Sequence, residues 1–340
     1  MKDCSNDMLK YHTEEVTLPT SVQGTLRGNR NANRDRLKRG LDKNGHPQPD
    51  AFIIQGSYAM KTMKQHPKND YDIDDGAAFA EGKLTDADGM ALTPLQARER
   101  VRDALLAGGG LPATPELKTN CVRIKYAAGH HVDIPVYRIR RDQFGNESKE
   151  IASGDEWRES NPNEITDWFR GKEKATQQDG EAEPQLRRLV RLLKTYSCNN
   201  QKEASLCGLI LTVLAAEQHT YYDGREDRAF RNLIERIRMR LHYDKAVLNP
   251  ADLSEELTKD RDLDKITKLI DRISASMENL RILDDPECSQ AEAREAWDEV
   301  FVTDFFSDLQ AVEQSSKAPA TPSDSYPDKR VNIQGPSTAA

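Results

Sequence analysis

Cysteine is scarce and unpatterned here. The 340 residues hold five, Cys4, Cys121, Cys198, Cys207 and Cys288, an odd set with no CxxC pair and no zinc-like Cys/His spacing. That sets aside a disulfide framework or a zinc knuckle and leaves reduced packing thiols. Long apolar runs are also missing. No stretch approaches the roughly 18 residues that a membrane span needs, and the opening MKDCSNDMLKYHTEE is too polar for a signal peptide, so the chain is expected in the cytoplasm and off the membrane. Positive charge is in deficit too: a formal net charge of -8 argues against obligatory binding of long nucleic acid, because such proteins carry a basic surplus. Small triphosphates are different, since they arrive with a metal ion and need only a few local cations. Repeats at solenoid or propeller period are absent.

What is present suits a bilobal protein, for 36% hydrophobic content over this length can bury one large core or two coupled ones. Residues Ser21 to Lys43 predict a weakly amphipathic helix, ended by NGHPQPD. AFIIQ predicts a buried strand that stops at Gly56, a helical turn or two follows through Tyr58 to Gln65, and YDIDDGAAF predicts a second strand. EGKLTDADGM is a loop; Asp86 and Asp88 hint at a calcium loop, but its third ligand position and closing Glu are missing. Thr93 and Pro94 fit the N-cap and first residue of a helix through Leu106 that GGG stops. CVRIKYA and HHVDIPVYRI predict strands, the second placing Val132, Ile134 and Val136 on one face and His131 and Asp133 on the other. From Pro162 the pattern turns helical for almost the whole remainder. QLRRLVRLLKTY carries Leu186, Leu189, Val190 and Leu193 on one face, LCGLILTVLAAEQ is apolar nearly all round, and RAFRNLIERIRMRL, DLDKITKLIDRISASMENL and EAWDEVFVTDFFSDL are amphipathic. The residues after Gln314 are rich in Ser, Pro, Ala and Thr and are expected to be disordered.

Three features of the first half point to one kind of chemistry. Gly56 and Ser57 follow a strand and open a helix, where backbone N–H groups can meet a phosphate. Asp72 and Asp74 share a strand face at period two, the pairing that bridges hard cations, and their mutual repulsion costs stability unless it is used. Asp133 stands among apolar neighbours and needs a partner, either a cation site or Arg123 or Lys125 on the preceding strand. Taken singly each has an ordinary structural explanation; together, three carboxylates beside a phosphate-binding turn describe two-metal phosphoryl transfer. Arg187, Arg191 and Lys194 form a basic stripe in the second half, either a solvated face or, for Lys194, a wall facing a docked triphosphate.

The ordered strings QGSYAMKT, YDIDDG, CVRIKY, HHVDIPVY, WRESNPNEITDWF, LVRLLKTY and GLILTVL, from about Ala51 to Ala215, resemble the bacterial cGAS/DncV-like nucleotidyltransferases of the polymerase-beta-like superfamily. That resemblance implies an α+β, bilobal fold with a small mixed sheet lobe and a helical lobe: a nucleotidyltransferase core with an N-terminal helix at 1–160, a helical lobe at 161–314 and a disordered tail at 315–340. It implies that Asp72, Asp74 and Asp133 hold two magnesium ions, with manganese possible, and that Gln55, Gly56 and Ser57 form the phosphate-binding turn. By the same resemblance Lys194 holds the triphosphate, and Ser160 and Arg123 touch base or ribose. Two departures stand out: Cys207 occupies a place where a serine near the triphosphate is expected, with Ser205 a substitute, and Met60 occupies that of a base-stacking aromatic. The implied activity joins nucleoside triphosphates, ATP among them, into a cyclic di- or trinucleotide second messenger in anti-phage signalling. A ubiquitin-transfer-like or other regulatory partner would act at the C-terminal tail. The alternatives are a nucleotidyltransferase of the superfamily acting on RNA or a small acceptor, and an inactive nucleotide-binding protein of the same fold.

Overall fold

The structure is a computed structural model that describes residues 1–66, 68, 70–200 and 205–309. The tail at 315–340, and with it the expected partner site, lies outside the described residues. After a short helix α1 (Ser5–Tyr11), the long α2 (Thr20–Lys43) leads into the sheet lobe. Its sparse apolar positions Leu26, Leu37 and Leu41 are all buried. At Gly40 a Cβ would fall 1.6 Å from the Ala104 carbonyl oxygen, so α2 meets α4 (Pro94–Gly108) backbone to backbone. Helix α4 opens as expected: Thr93 and Gln96 form a reciprocal capping box with Pro94 in the first turn.

The sheet is mixed. Strand β1 (Ala51–Gln55) runs antiparallel to β2 (Asp72–Ala80); between them α3 covers only Gly56–Ala59, because Lys61 takes φ 57° and turns the chain away from the expected longer helix. After β3 (Glu116–Leu117) and β4 (Val122–Lys125) come β5 (His131–Ile134) and β6 (Val136–Arg141). These last two are one run parallel to β2, since Asp74 faces Asp133 and Ala77 faces Val136 at an unchanged offset. Pro135 interrupts the ladder for want of an N–H, while its carbonyl still accepts from Ala77 N at 2.8 Å. Before the proline, β4 pairs antiparallel with this run; after it, β7 (Glu147–Ser153) does, followed by β8 (Glu156–Glu159). Strands β7 and β8 were not anticipated from the sequence.

The helical lobe comprises α5 (Pro162–Thr176), α6 (Gln185–Asn200), α7 (Gly208–Gln218), α8 (Glu226–Tyr243), α9 (Leu263–Asn279) and α10 (Gln290–Phe301). A hairpin of β9 (Leu248–Asn249) and β10 (Asp252–Glu256) interrupts the expected helical run. The last expected helix also breaks: Val302 adopts φ 53° after α10, and the Asp298 carboxylate caps the next turn through Phe306 N and Ser307 N. The lobe's core centres on Leu193, Tyr196, Phe230, Trp297 and Phe301, and Cys4, Met8, Tyr11 and Val16 pack into it. The first 16 residues, expected in the core at 1–160, pack instead with the helical lobe through Cys4, Met8, Tyr11 and Val16, and the sheet lobe begins with α2. Among the described residues no helix is long and apolar enough to cross a membrane.

Candidate active site

Alternation along β2 buries Ile73 fully and leaves Asp72 and Asp74 together on the other face. The parallel register places Asp133 beside Asp74, so three carboxylates meet at one end of the sheet. Their charge is only partly answered. Arg123, opposite Asp133 on β4, gives it two hydrogen bonds of 2.7 Å and approaches Asp72 at 3.5 Å, and His131 contacts Asp72. Asp74 is left with the repulsion: burial, reinforced by Asp133 and Asp72, pushes its carboxyl up to about 7. Asp75 faces the other way and is buried under Arg34 of α2, which grips it at 2.7 and 2.5 Å.

Gly56 explains the tight approach of the turn to these acids. Its φ is +66°, and a Cβ there would sit 2.4 Å from the Asp74 carboxylate oxygen, so no other residue fits without displacing it. Gln55 accepts from the Tyr137 hydroxyl at 3.0 Å, and Ser160 also hydrogen-bonds that hydroxyl. Gln55, Gly56, Ser57, Asp72, Asp74 and Ser160 line one cavity of about 940 Å³ between the lobes.

Lys194 lines the same cavity from the helical lobe. Its ammonium donates to the Thr62 hydroxyl at 3.0 Å, and burial, with Lys64 and Arg191 nearby, pushes it down to about 8. The basic stripe thus divides. Arg187 is held by Glu173 at 2.7 and 2.8 Å and Arg191 pairs with Glu183, whereas Lys194 has no acidic partner among the described residues.

Two residues expected to contact substrate do not line the cavity. Arg123 is spent on carboxylates, because cross-strand register delivers its guanidinium to Asp133; neither residue is among the cavity's lining. Ser205 is turned toward Ser197 at 2.9 Å and is also absent from the lining. Cys207 is exposed at the start of α7, and Met60, at the cavity edge, is mostly taken up by the helical-lobe core. Lys64, Lys149, Asn249 and Asp252 line the cavity without having been singled out. The pairing of Ser160 N with the Lys149 carbonyl at 2.9 Å shows the signal that was missing: strand β7 had to be recognised first.

Residues 50–137 match a family described as cyclic GMP-AMP synthase DncV-like, nucleotidyltransferase domain. Among solved structures the chain is similar to the Bradyrhizobium diazoefficiens CD-NTase CdnG in complex with GTP, with 15% identity and a TM-score of 0.66 over 93% of this chain and 99% of that one. It is also similar to the Vibrio cholerae DncV cyclic AMP-GMP synthase in complex with a linear intermediate, with 17% identity and a TM-score of 0.61 over 85% and 92%. Escherichia coli DncV in its 3'-deoxy GTP bound form gives 15% identity and a TM-score of 0.62 over 87% and 95%. Residues 50–137 therefore resemble a DncV-like nucleotidyltransferase domain, and the chain as a whole shares the bilobal fold of CdnG and DncV.

Proposed function

We propose that this protein synthesises a cyclic di- or trinucleotide from nucleoside triphosphates, ATP among them. The observation that carries the reading is the meeting, at one cavity, of Asp72 and Asp74, with Asp133 beside Asp74 on the neighbouring strand, the Gly56–Ser57 turn and an ammonium from the opposite lobe without an acidic partner among the described residues.

The donor set fits magnesium, and manganese equally: all three groups are hard oxygen donors, and the Asp74 carboxyl is raised by burial and then by the neighbouring Asp133 and Asp72, which Arg123 offsets only in part. Arg123 and His131 now contact Asp133 and Asp72. Asp72, Asp74 and Asp133 would hold two ions once those cations yield. Metal held by these carboxylates would supply Lewis acidity for the attacking ribose hydroxyl and positive charge for the departing pyrophosphate. The chain's own groups do the rest. Gly56 brings its backbone to the phosphates, Ser57 supplies a hydroxyl, and Lys194 supplies positive charge from the facing wall; Tyr137 fixes Gln55 and Ser160 in relation to each other. Closure of the ring would follow when a linear product re-enters the cavity.

Role in anti-phage signalling, and a regulatory partner at the tail, rest on family resemblance alone. The test of the chemistry is direct. Purified protein is incubated with the four labelled triphosphates and magnesium, and phosphatase-resistant cyclic product is expected. Products that extend RNA or modify a small acceptor would support the other superfamily activities, and no turnover with any divalent cation would overturn an enzymatic reading.

A further inference from the structure

The segment after α3 brings a second lysine to the cavity, and the N-terminal segment holds it there. Lys64 forms a bridge with Thr17, Gln65 N donates to the Val16 carbonyl at 2.9 Å, and the Gln65 amide reaches the carbonyls of Glu14 and Thr17 at 2.7 and 3.0 Å. Val16 is itself buried in the helical-lobe core, which also carries Lys194. Lys64 and Lys194 are therefore fixed to one body and line one cavity, close enough that Lys64 contributes to depressing Lys194. Among the described residues neither forms an ion pair; Lys64 Nζ finds only the Gln65 carbonyl, at 3.2 Å. Two mutually repelling ammonium groups without anions are unfavourable in the empty protein, and a polyphosphate spanning them would relieve the repulsion. Lys68, four residues on, is exposed and does not line the cavity.

We propose that Lys64 is a second ligand for the substrate's triphosphate, acting jointly with Lys194, and that Gln65 is a positioning residue that ties it to the N-terminal segment. This rests on the nucleotide-site reading above. Binding of a fluorescent ATP analogue to the full chain in magnesium, competed separately by inorganic tripolyphosphate, ATP and AMP, tests it. Lys64→Ala should lose about tenfold or more in affinity for ATP and tripolyphosphate, with AMP affinity and melting temperature unchanged, and Lys64→Arg should restore most of the loss. Lys68→Ala should match the parent protein. Gln65→Ala should weaken triphosphate binding severalfold in the parent and add little in the Lys64→Ala background, the non-additivity expected of a residue acting through another. Parent protein that binds triphosphate with Lys64→Ala unaffected, or a loss that is equal for AMP, overturns this inference alone. Parent protein that binds no triphosphate overturns the nucleotide-site reading with it.

Discussion

Buried charge is treated in opposite ways at the cavity and away from it. In the body of the helical lobe the acids are answered. Asp227 receives Cys4 N at 2.9 Å, Ser5 Oγ at 2.7 Å and Arg225, and is held below its ordinary value despite burial. Asp7 is gripped by Arg294, and Glu226 by Arg188 and Gln185. At the cavity the balance fails in both directions, with a carboxyl raised to about 7 on the sheet side and a lysine lowered to about 8 on the helical side. Paired buried charges fix a fold, whereas unanswered ones of opposite sign on facing walls mark where a ligand completes the circuit.

The largest expected effect breaks the cavity's side of this contrast. Asp72→Asn with Asp74→Asn removes the metal-binding charge and should lower product formation roughly a thousandfold or more, with circular dichroism and melting temperature at least as good as the parent's. Near-normal turnover by the double variant would sink the metal-dependent reading. The converse experiment is Asp227→Ala in the helical lobe, which leaves Arg225 and the Cys4 amide without their acceptor. A loss of about 3–5 kcal/mol is expected in urea unfolding, with kcat little changed in the fraction that remains folded.

A subtler test uses the sign of the Asp74 shift. Because its folded value is raised above the unfolded one, the folded state binds the extra proton, so the penalty is absent in acid and grows as pH rises from about 4 to about 7. In EDTA, Asp74→Asn should therefore raise stability by about 1–3 kcal/mol at pH 8 and change little at pH 4. A gain independent of pH would mean that the carboxylate is not strained by its neighbours.

Much of the site was legible because it obeys local periodicity. Asp72 and Asp74 had to share a face if Ile73 was core, and Asp133 stood out as a charge between Val132 and Ile134. The α6 pattern of Leu186, Leu189, Val190 and Leu193 gave its buried face for the same reason. What escaped depends on contacts distant in sequence. Cys4 and Ser5 reach Asp227, 223 and 222 residues away, and nothing in MKDCSNDMLKYH announces that its apolar positions complete another lobe. Strands β7 and β8 carry few apolar residues, and so gave no alternation to read. Arg123 and Ser205 were given substrate roles by family resemblance, and neither the cross-strand meeting of Arg123 with Asp133 nor the turn of Ser205 toward Ser197 can be read from sequence spacing.

The smallest expected effect is also the one that best separates function from stability. Lys194 is buried without an acidic partner among the described residues, and its folded value lies below that of an unfolded lysine. The folded state thus holds its proton less tightly, the full penalty is present below about pH 8, and stability recovers as pH rises toward 10.5. Lys194→Met keeps the apolar stem and removes the charge, so in the absence of nucleotide it should raise stability at pH 7 by about 1–2 kcal/mol, with the gain fading at pH 10. The same substitution should raise the apparent KM for triphosphate about tenfold, because the ammonium is what the cavity's far wall offers a phosphate. Unfolding curves at the two pH values and initial rates over a range of ATP decide it. A variant that is less stable and binds nucleotide normally would show that Lys194 is a strut between α6 and Thr62, and that the imbalance of charge across the cavity has no bearing on substrate.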